Sequence, residues 1–355
     1  MKFTALPVKW GDSFLLHSPS GTILVDAGHD KKHILELLEQ EHINNRHINL
    51  IVCTHYDADH INGILGILES QDYTFDEIWL PEILGSLSYT LSEDLIGILR
   101  KLREIGPDEI QAIKTLESNI IGERTRIQED SPIRLASLDN ILQARYCPFA
   151  FEDVLFDLLR HESSSTIPIQ AMHTNMWAAL GIVHSALSSG AYVRWFKYVR
   201  TLTNISYGFG MTALNSTETG LTRYRPDVFL HLLYLTTINV ESLVFKFSCD
   251  QYPDILFCAD SDFSFTGTPI DLKNESVVTA PHHGSDSCNG AYNLINGSNL
   301  IYVRSDQSQR KRPGSGFLNQ PNRYCTICRN RGPQKKVEIS YLGSSPALTG
   351  QKCTC

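Results

Sequence analysis

The sequence predicts an α/β fold. Through residues 1–80 short β-type runs alternate with amphipathic helical ones, and after residue 227 strand signals resume, several of them ending in aspartate or histidine. With 355 residues and 42% hydrophobic content, the chain can build one large domain or two ordinary ones, each with its own core.

Residues 3–8, 13–17 and 22–25 read as brief strands, the first two separated by the turn signal Gly11-Asp12. Residues 30–41 place Ile34, Leu37 and Leu38 on one face of a helix. Residues 50–53 read as a buried strand, 61–69 as the opening of a helix and 77–80 as another strand. Between 85 and 226 the segments lengthen, as at 92–105 and 151–160, and predict a mostly helical insertion. Strand patterns return at 228–235, 242–247, 255–258, 277–280, 300–303 and 337–342. The expected organisation is therefore two halves at 1–84 and 227–305, the insertion at 85–226, and a tail at 306–355.

The chemistry concentrates at strand ends. Residues 54–64 read THYDADHINGI, crowding His55, Asp57, Asp59 and His60 behind the apolar run 50–53. Burying such groups unpaired would cost several kcal/mol each, so a cation is the expected partner. Asp260-Ser261-Asp262 follows the run ILFCA, His282-His283 follows VVTAP, and Asp26 closes LVDAG. Taken singly, each has a bland reading as a turn or a helix cap. The repeated pairing of an apolar strand with a ligand cluster does not, because strand C-termini emptying into one crevice is how α/β sheets build active sites. Mixed imidazole and carboxylate ligands suit Mn²⁺, Zn²⁺ or Fe, and six candidates are enough for two ions.

These residues resemble the metallo-β-lactamase superfamily. THYDADHINGI is similar to its HxHxDH signature in an HxDxDH form, LVDAG to its first motif, FCADSD to its later aspartate motif and APHHGS to its last histidine motif. HxDxDH together with HHGS most resembles the domain of this type in ComEC-type DNA-uptake proteins and their soluble relatives. The resemblance covers residues 1–80 and 227–305 and implies a four-layer αββα sandwich with the site at one edge of two sheets. It implies that His55 and Asp57 hold one divalent ion, Asp59 and His60 a second, that Asp260 bridges them, and that His282 completes the second site. His283 would stand beside it as a proton donor or phosphate contact, with Asp59 orienting the attacking water and Asp26 orienting a ligand. Two departures stand out. Ala259 replaces the family's glycine before the bridging aspartate, and none of His161, His173, His184 and His231 has the context of the third-motif histidine.

Asp57 in place of a histidine hardens the site and favours Mn²⁺, with Zn²⁺ the alternative. Two such ions lower the pKa of a water, so that hydroxide is available near neutral pH, and favour phosphodiesters over neutral amides. The expected activity is metal-dependent phosphodiester hydrolysis, in first place as a DNA nuclease. The alternatives are a cyclic-nucleotide phosphodiesterase, a non-catalytic partner-binding module and β-lactam or thioester hydrolysis.

Net charge is −8, yet residues 304–336 hold nine Lys or Arg against the single acid Asp306, a strip of +8 on a remainder of −16. Arg310, Lys311, Arg312 and Arg323 within it are candidate nucleic-acid contacts. Of the nine cysteines, Cys325 and Cys328 form CxxC, and Cys353 and Cys355 form CxC. In a reducing compartment that pattern suggests a structural zinc site more than two disulfides. The absence of a signal-like start or a long apolar run leads us to expect a cytoplasmic chain without membrane contact. A protein partner in a defence or DNA-processing complex is a further expectation.

Overall fold

Side-chain alternation along each strand sorts this chain into layers. In the computed structural model, which describes residues 1–82, 182, 185–186, 189–220, 242–306, 312–328, 334–342 and 345–355, the strands number 18. They are β1 Lys2–Ala5, β2 Phe14–Ser18, β3 Gly21–Val25, β4 His47–Val52, β5 Thr74–Pro81, β6 Tyr192–Tyr198, β7 Ile205–Gly208, β8 Met211–Ala213 and β9 Ser216–Glu218. After them come β10 Phe245–Cys249, β11 Tyr252–Phe257, β12 Ile270–Asp271, β13 Val277–Thr279, β14 Ile295–Asn296, β15 Ile301–Arg304, β16 Arg323–Cys325, β17 Val337–Leu342 and β18 Ser345–Thr349. Three α-helices accompany them among the described residues: α1 Lys31–Gln40, α2 Ala58–Ser70 and α3 Ser315–Leu318.

One sheet runs β18-β17-β1-β2-β3-β4-β5-β6-β9 and the other β16-β15-β13-β11-β10-β8-β7, with β12 and β14 paired separately. Ile23 and Val25 face the space between the sheets while Leu24 faces the helices; Leu50 and Val52 oppose Ile51 in the same way. On the second sheet Ile255 and Phe257 point inward and Leu256 outward. Phe3, Phe14, Trp79, Phe196, Phe245 and Phe257 fill the inter-sheet core. Ile34, Leu37 and Leu38 of α1, with Ile61, Ile64, Leu65 and Leu68 of α2, cover the outer face of the first sheet. Phe263, Ala291, Tyr292 and Phe317 cover the second. The result is helix, sheet, sheet, helix, the four-layer order expected from the sequence.

The α1 prediction agrees to within a residue, because Asp30 caps it by accepting from the Lys32 and His33 amides at 2.9 and 3.0 Å. The strand expected at 337–342 is β17, which pairs antiparallel with β1. Residues 306–355 are therefore not an appended tail: β16 joins the second sheet while β17 and β18 join the first. The insertion expected over 85–226 is corrected at its end, since residues 192–218 form β6 to β9 and belong to the two sheets. The chain divides into one compact unit of Met1–Ser88 with Thr174–Cys355 and a second of Tyr89–His173, the latter outside the described residues. The strand expected at 228–235 also lies outside them. No helix among the described residues is long and apolar enough to cross a membrane.

Candidate metal centre

Parallel pairing aligns the strand ends that carry the polar clusters. β3, β4, β5 and β6 run parallel in one sheet, and β11, β13, β15 and β16 in the other. Backbone bonds then tie the loops that follow. The His282 amide donates to the Ala259 carbonyl at 2.8 Å, and the Ala27 amide to the His60 carbonyl at 3.1 Å. Two glycines permit the closest approaches. A Cβ on Gly63 would stand 1.9 Å from the Ala27 carbonyl oxygen, and one on Gly11 would stand 1.6 Å from the Asp59 carbonyl oxygen. The loops bearing Asp12 and Asp26 therefore lie directly on the first turns of α2.

Asp260 sits at the centre, 3% exposed. Its Oδ1 is 3.4 Å from His60 Nε2 and 3.2 Å from His283 Nε2, and Asp59 Oδ2 is 3.5 Å from that same His283 nitrogen. Its Oδ2 is 3.3 Å from His282 Nε2 and 3.9 Å from His55 Nε2, which in turn is 4.0 Å from Asp57 Oδ2. One carboxylate thus faces two ligand sets: Asp59, His60 and His283 on one side, His55, Asp57 and His282 on the other.

The hydrogen bonds behind these residues fix which nitrogen of each ring is offered. Asp26 Oδ2 lies 2.8 Å from His60 Nδ1, and Asp12 Oδ1 lies 3.1 Å from His283 Nδ1, so each carboxylate holds a proton on Nδ1 and turns Nε2 inward. Thr54 Oγ1 donates to Asp26 Oδ2 at 2.6 Å and lies 3.0 Å from His55 Nδ1, which orients that ring in the same sense. His60 Nε2 and His283 Nε2 consequently face each other at 3.2 Å across Asp260. His55 Nε2 and Asp260 Oδ1 are buried without a hydrogen-bond partner. Protons or a cation must stand between groups converging in this way, and the mixed His and Asp donors suit a divalent ion of intermediate hardness. Ligand atoms of Asp12, His60, Asp260 and His283 lie within 4.8 Å of one another, as do those of Asp26, His55 and His60, so the residues present fit a divalent ion.

The charge balance agrees. Burial opposes the charged form of His60 and His283, but Asp26 and Asp260 around the first, and Asp260 and Asp12 around the second, hold both pKa values well above the usual range. Burial lowers His55 to about 4 and raises Asp57 to about 6, the latter reinforced by Asp59 and Asp260. Asp260 is pushed well down despite its burial, because His283, His282 and His60 surround it. Asp57 is the N-cap residue of α2 yet makes no capping bond with its side chain. A carboxylate withheld from a favourable cap is one kept for another task. Left-handed backbone at Asp26, Ala259, His282 and His283, with φ of 52, 48, 47 and 52°, concentrates strain of about 1–2 kcal/mol per residue in the same place. The strain at Ala259 explains why glycine suits that position.

Several sequence expectations change here. His283 Nε2 lies beside Asp59 and Asp260 Oδ1, whereas His282 Nε2, which the resemblance places with Asp59 and His60, lies beside Asp260 Oδ2. His283 is fully buried, with Asp12 on Nδ1 and His60 facing Nε2. Asp262 turns away to accept from the Ser264 amide at 2.9 Å. His161, His173, His184 and His231 lie outside the described residues, as do Arg310 and Lys311.

The described basic residues of the strip differ in their surroundings. Arg304 is fully buried and donates to the Ile327 carbonyl at 3.2 Å, Arg323 donates to the Gln320 carbonyl at 2.9 Å, and Lys336 is paired with Glu41 at 2.7 Å. Among the described residues of the strip, Arg312 is the one that reaches the centre, with Nη2 at 3.2 Å from His282 Nε2 and Nη1 at 3.5 Å from Asp306 Oδ2. Asp12 and Asp306 are not evident from sequence: one reads as half of a Gly-Asp turn and the other as an acid in a basic run.

Asp12 has a separable role. Replacing it by Asn is expected to leave the fold intact and to weaken metal binding by roughly 10–100-fold, by releasing the orientation of His283. Metal titration of the purified variant checks this, and an unchanged affinity would contradict it.

Residues 11–79 match the family described as the metallo-beta-lactamase superfamily. No curated protein sequence matches the chain. Among solved structures, a metallo-beta-lactamase from Cronobacter sakazakii, altered in its HARLDQ motif, aligns at 23% identity over 26% of this chain and 36% of that one, with a TM-score of 0.21. That alignment spans little more than a third of the other protein. The matched segment holds Asp12, Asp26 and the whole of His55–His60, and together with the layered fold it supports a metal-dependent hydrolase in general.

Proposed function

We propose that the chain hydrolyses phosphodiester bonds, with DNA as its substrate, through a centre that takes two divalent ions. The observation that carries this reading is the two-faced Asp260 carboxylate between two His/Asp sets, with the Arg312 guanidinium beside it. When bound, the ions would acidify a water and neutralise charge on the scissile phosphate. His55, Asp57 and His282 would hold one ion, Asp59, His60 and His283 the other, and Asp260 both. Asp57, where the signature motif has a histidine, hardens the centre and favours Mn²⁺ over Zn²⁺.

The remaining groups suit a phosphate. The Asp59 side chain is 30% exposed and faces the open side of its set, where it can orient an attacking water. The Arg312 side chain is 21% exposed and is the one described cation at the rim of the centre, where a planar fork can bind two phosphate oxygens as charge grows on them. Trp10 is 48% exposed in the loop whose Gly11 lies on Asp59, and offers a flat apolar face to a base.

The test is cleavage of end-labelled single- and double-stranded DNA, with a cyclic dinucleotide alongside, under Mn²⁺, Mg²⁺ or chelator. Mn²⁺-dependent cutting of DNA is expected. Arg312→Ala should lower kcat/KM by roughly 10²-fold with the metal content unchanged. Cleavage of the cyclic dinucleotide alone would move the substrate to small cyclic nucleotides. A metal-loaded chain that cuts no phosphodiester would overturn the proposal.

A further inference from the structure

The CxxC and CxC pairs lie 24 residues apart in sequence, yet the fold brings their sulfurs into one cluster away from the Asp260 centre. β16 ends in Cys325, and the last residues of the chain run back alongside it. The Cys353 amide donates to the Arg323 carbonyl at 2.9 Å, and Tyr324 bridges antiparallel to Lys352. Cys325 Sγ is 3.2 Å from Cys328 Sγ and 3.9 Å from Cys355 Sγ, while Cys328 Sγ is 4.0 Å from Cys353 Sγ and 3.3 Å from Cys355 Sγ.

Those separations choose between the two readings the sequence left open. A disulfide needs sulfurs about 2.05 Å apart, and pairs them two by two. Four thiolates at about 2.3 Å from one zinc ion stand roughly 3.8 Å from each other, along every edge of a tetrahedron. Here all four sulfurs lie within 4.8 Å of one another. The Thr354 backbone amide also donates to Cys328 Sγ at 3.1 Å. An amide aimed at a sulfur favours the thiolate, the form in which cysteine binds metal.

We infer that Cys325, Cys328, Cys353 and Cys355 bind one structural zinc ion that fastens the end of the chain to the edge of the second sheet. The fastening has a consequence for neighbouring backbone. In the β15–β16 pair Cys325 stands opposite Arg304, and Thr326 holds the last carbonyl of β15 and the one after it, its amide on Arg304 at 3.1 Å and its hydroxyl on Ser305 at 2.5 Å. The zinc thus braces the strand end that leads to Asp306.

The experiment uses the full chain purified under reducing conditions with zinc present and then dialysed against EDTA. About one zinc per chain should remain, a closed four-sulfur site being the slower to release its ion. Titrating the thiols with p-hydroxymercuribenzoate should release that zinc as the four cysteines react. Replacing zinc by Co²⁺ should give a thiolate-to-cobalt charge-transfer band and tetrahedral visible bands. Cys325→Ser/Cys328→Ser should lose the retained zinc, whereas Asp260→Asn should keep it, which separates this site from the Asp260 centre. Should the double variant fail to fold, mercurial release from the unaltered chain decides. No retained zinc, release without thiol reaction, or peptide mapping that finds two disulfides in the reduced preparation would overturn the inference.

Discussion

Asp260→Asn is expected to abolish hydrolysis and to remove both divalent ions from the centre while the chain stays folded. Each oxygen of Asp260 faces a different ligand set, so an amide, with a donor in place of one oxygen, cannot serve both. Loss of charge stabilisation worth about 3–4 kcal/mol corresponds to roughly 10²–10³-fold in rate, and loss of the ions adds to it. Stability should fall, because the depressed pKa of Asp260 shows its charge held favourably by His283, His282 and His60, and Asn leaves those rings without it. Rate, metal content and thermal unfolding, measured on one preparation, check the three parts together. A folded variant that keeps two ions and near-normal activity would contradict the assigned role.

The largest effect on stability is expected at Gly63. A Cβ there would meet the Ala27 carbonyl oxygen at 1.9 Å, and that neighbour is backbone, which cannot swing aside. The Gly63 amide also donates to the Gly28 carbonyl at 2.9 Å, so the helix cannot retreat without breaking that bond. Gly63→Ala should therefore cost about 3 kcal/mol or more, despite alanine's better helix propensity of about 1 kcal/mol. Because α2 carries Asp59 and His60, surviving folded protein should also bind metal poorly. Chemical denaturation checks the first part and metal titration the second; a Gly63→Ala variant of normal stability would show that the contact can relax.

Much of the sandwich is legible because its central strands are short, apolar and bounded by turn residues. Ile23 to Val25, Leu50 to Val52 and Ile255 to Phe257 are buried on both faces, so burial marks them in any window. β6 is harder: YVRWFKY carries Arg194 and Lys197, and only the tertiary pairing of Arg194 with Glu77 and Glu218 makes that pattern a strand. β18 contains Pro346, which fits its position at the sheet edge and weakens its local signal.

At the site, His55, Asp57, Asp59, His60 and Asp260 are legible as clusters behind apolar strands. The division of labour between His282 and His283 is not, because two adjacent residues in left-handed backbone exchange directions in a way that spacing does not record. Asp12 is hidden by distance, its partner His283 standing 271 positions along the chain. Along the basic strip, charge count carries no information on burial. Arg304, whose guanidinium lies inside the protein, counts the same as Arg312, which reaches the centre.

Counting the ions held by the Asp260 centre tests the account most directly. Full-length chain whose cysteine cluster is first saturated with zinc would be titrated with Mn²⁺ by calorimetry, beside the Asp260→Asn variant. Two further equivalents per chain are expected, and none in the variant. One equivalent that survives in Asp260→Asn, or no binding in either protein, would contradict a centre built on the two faces of a single carboxylate.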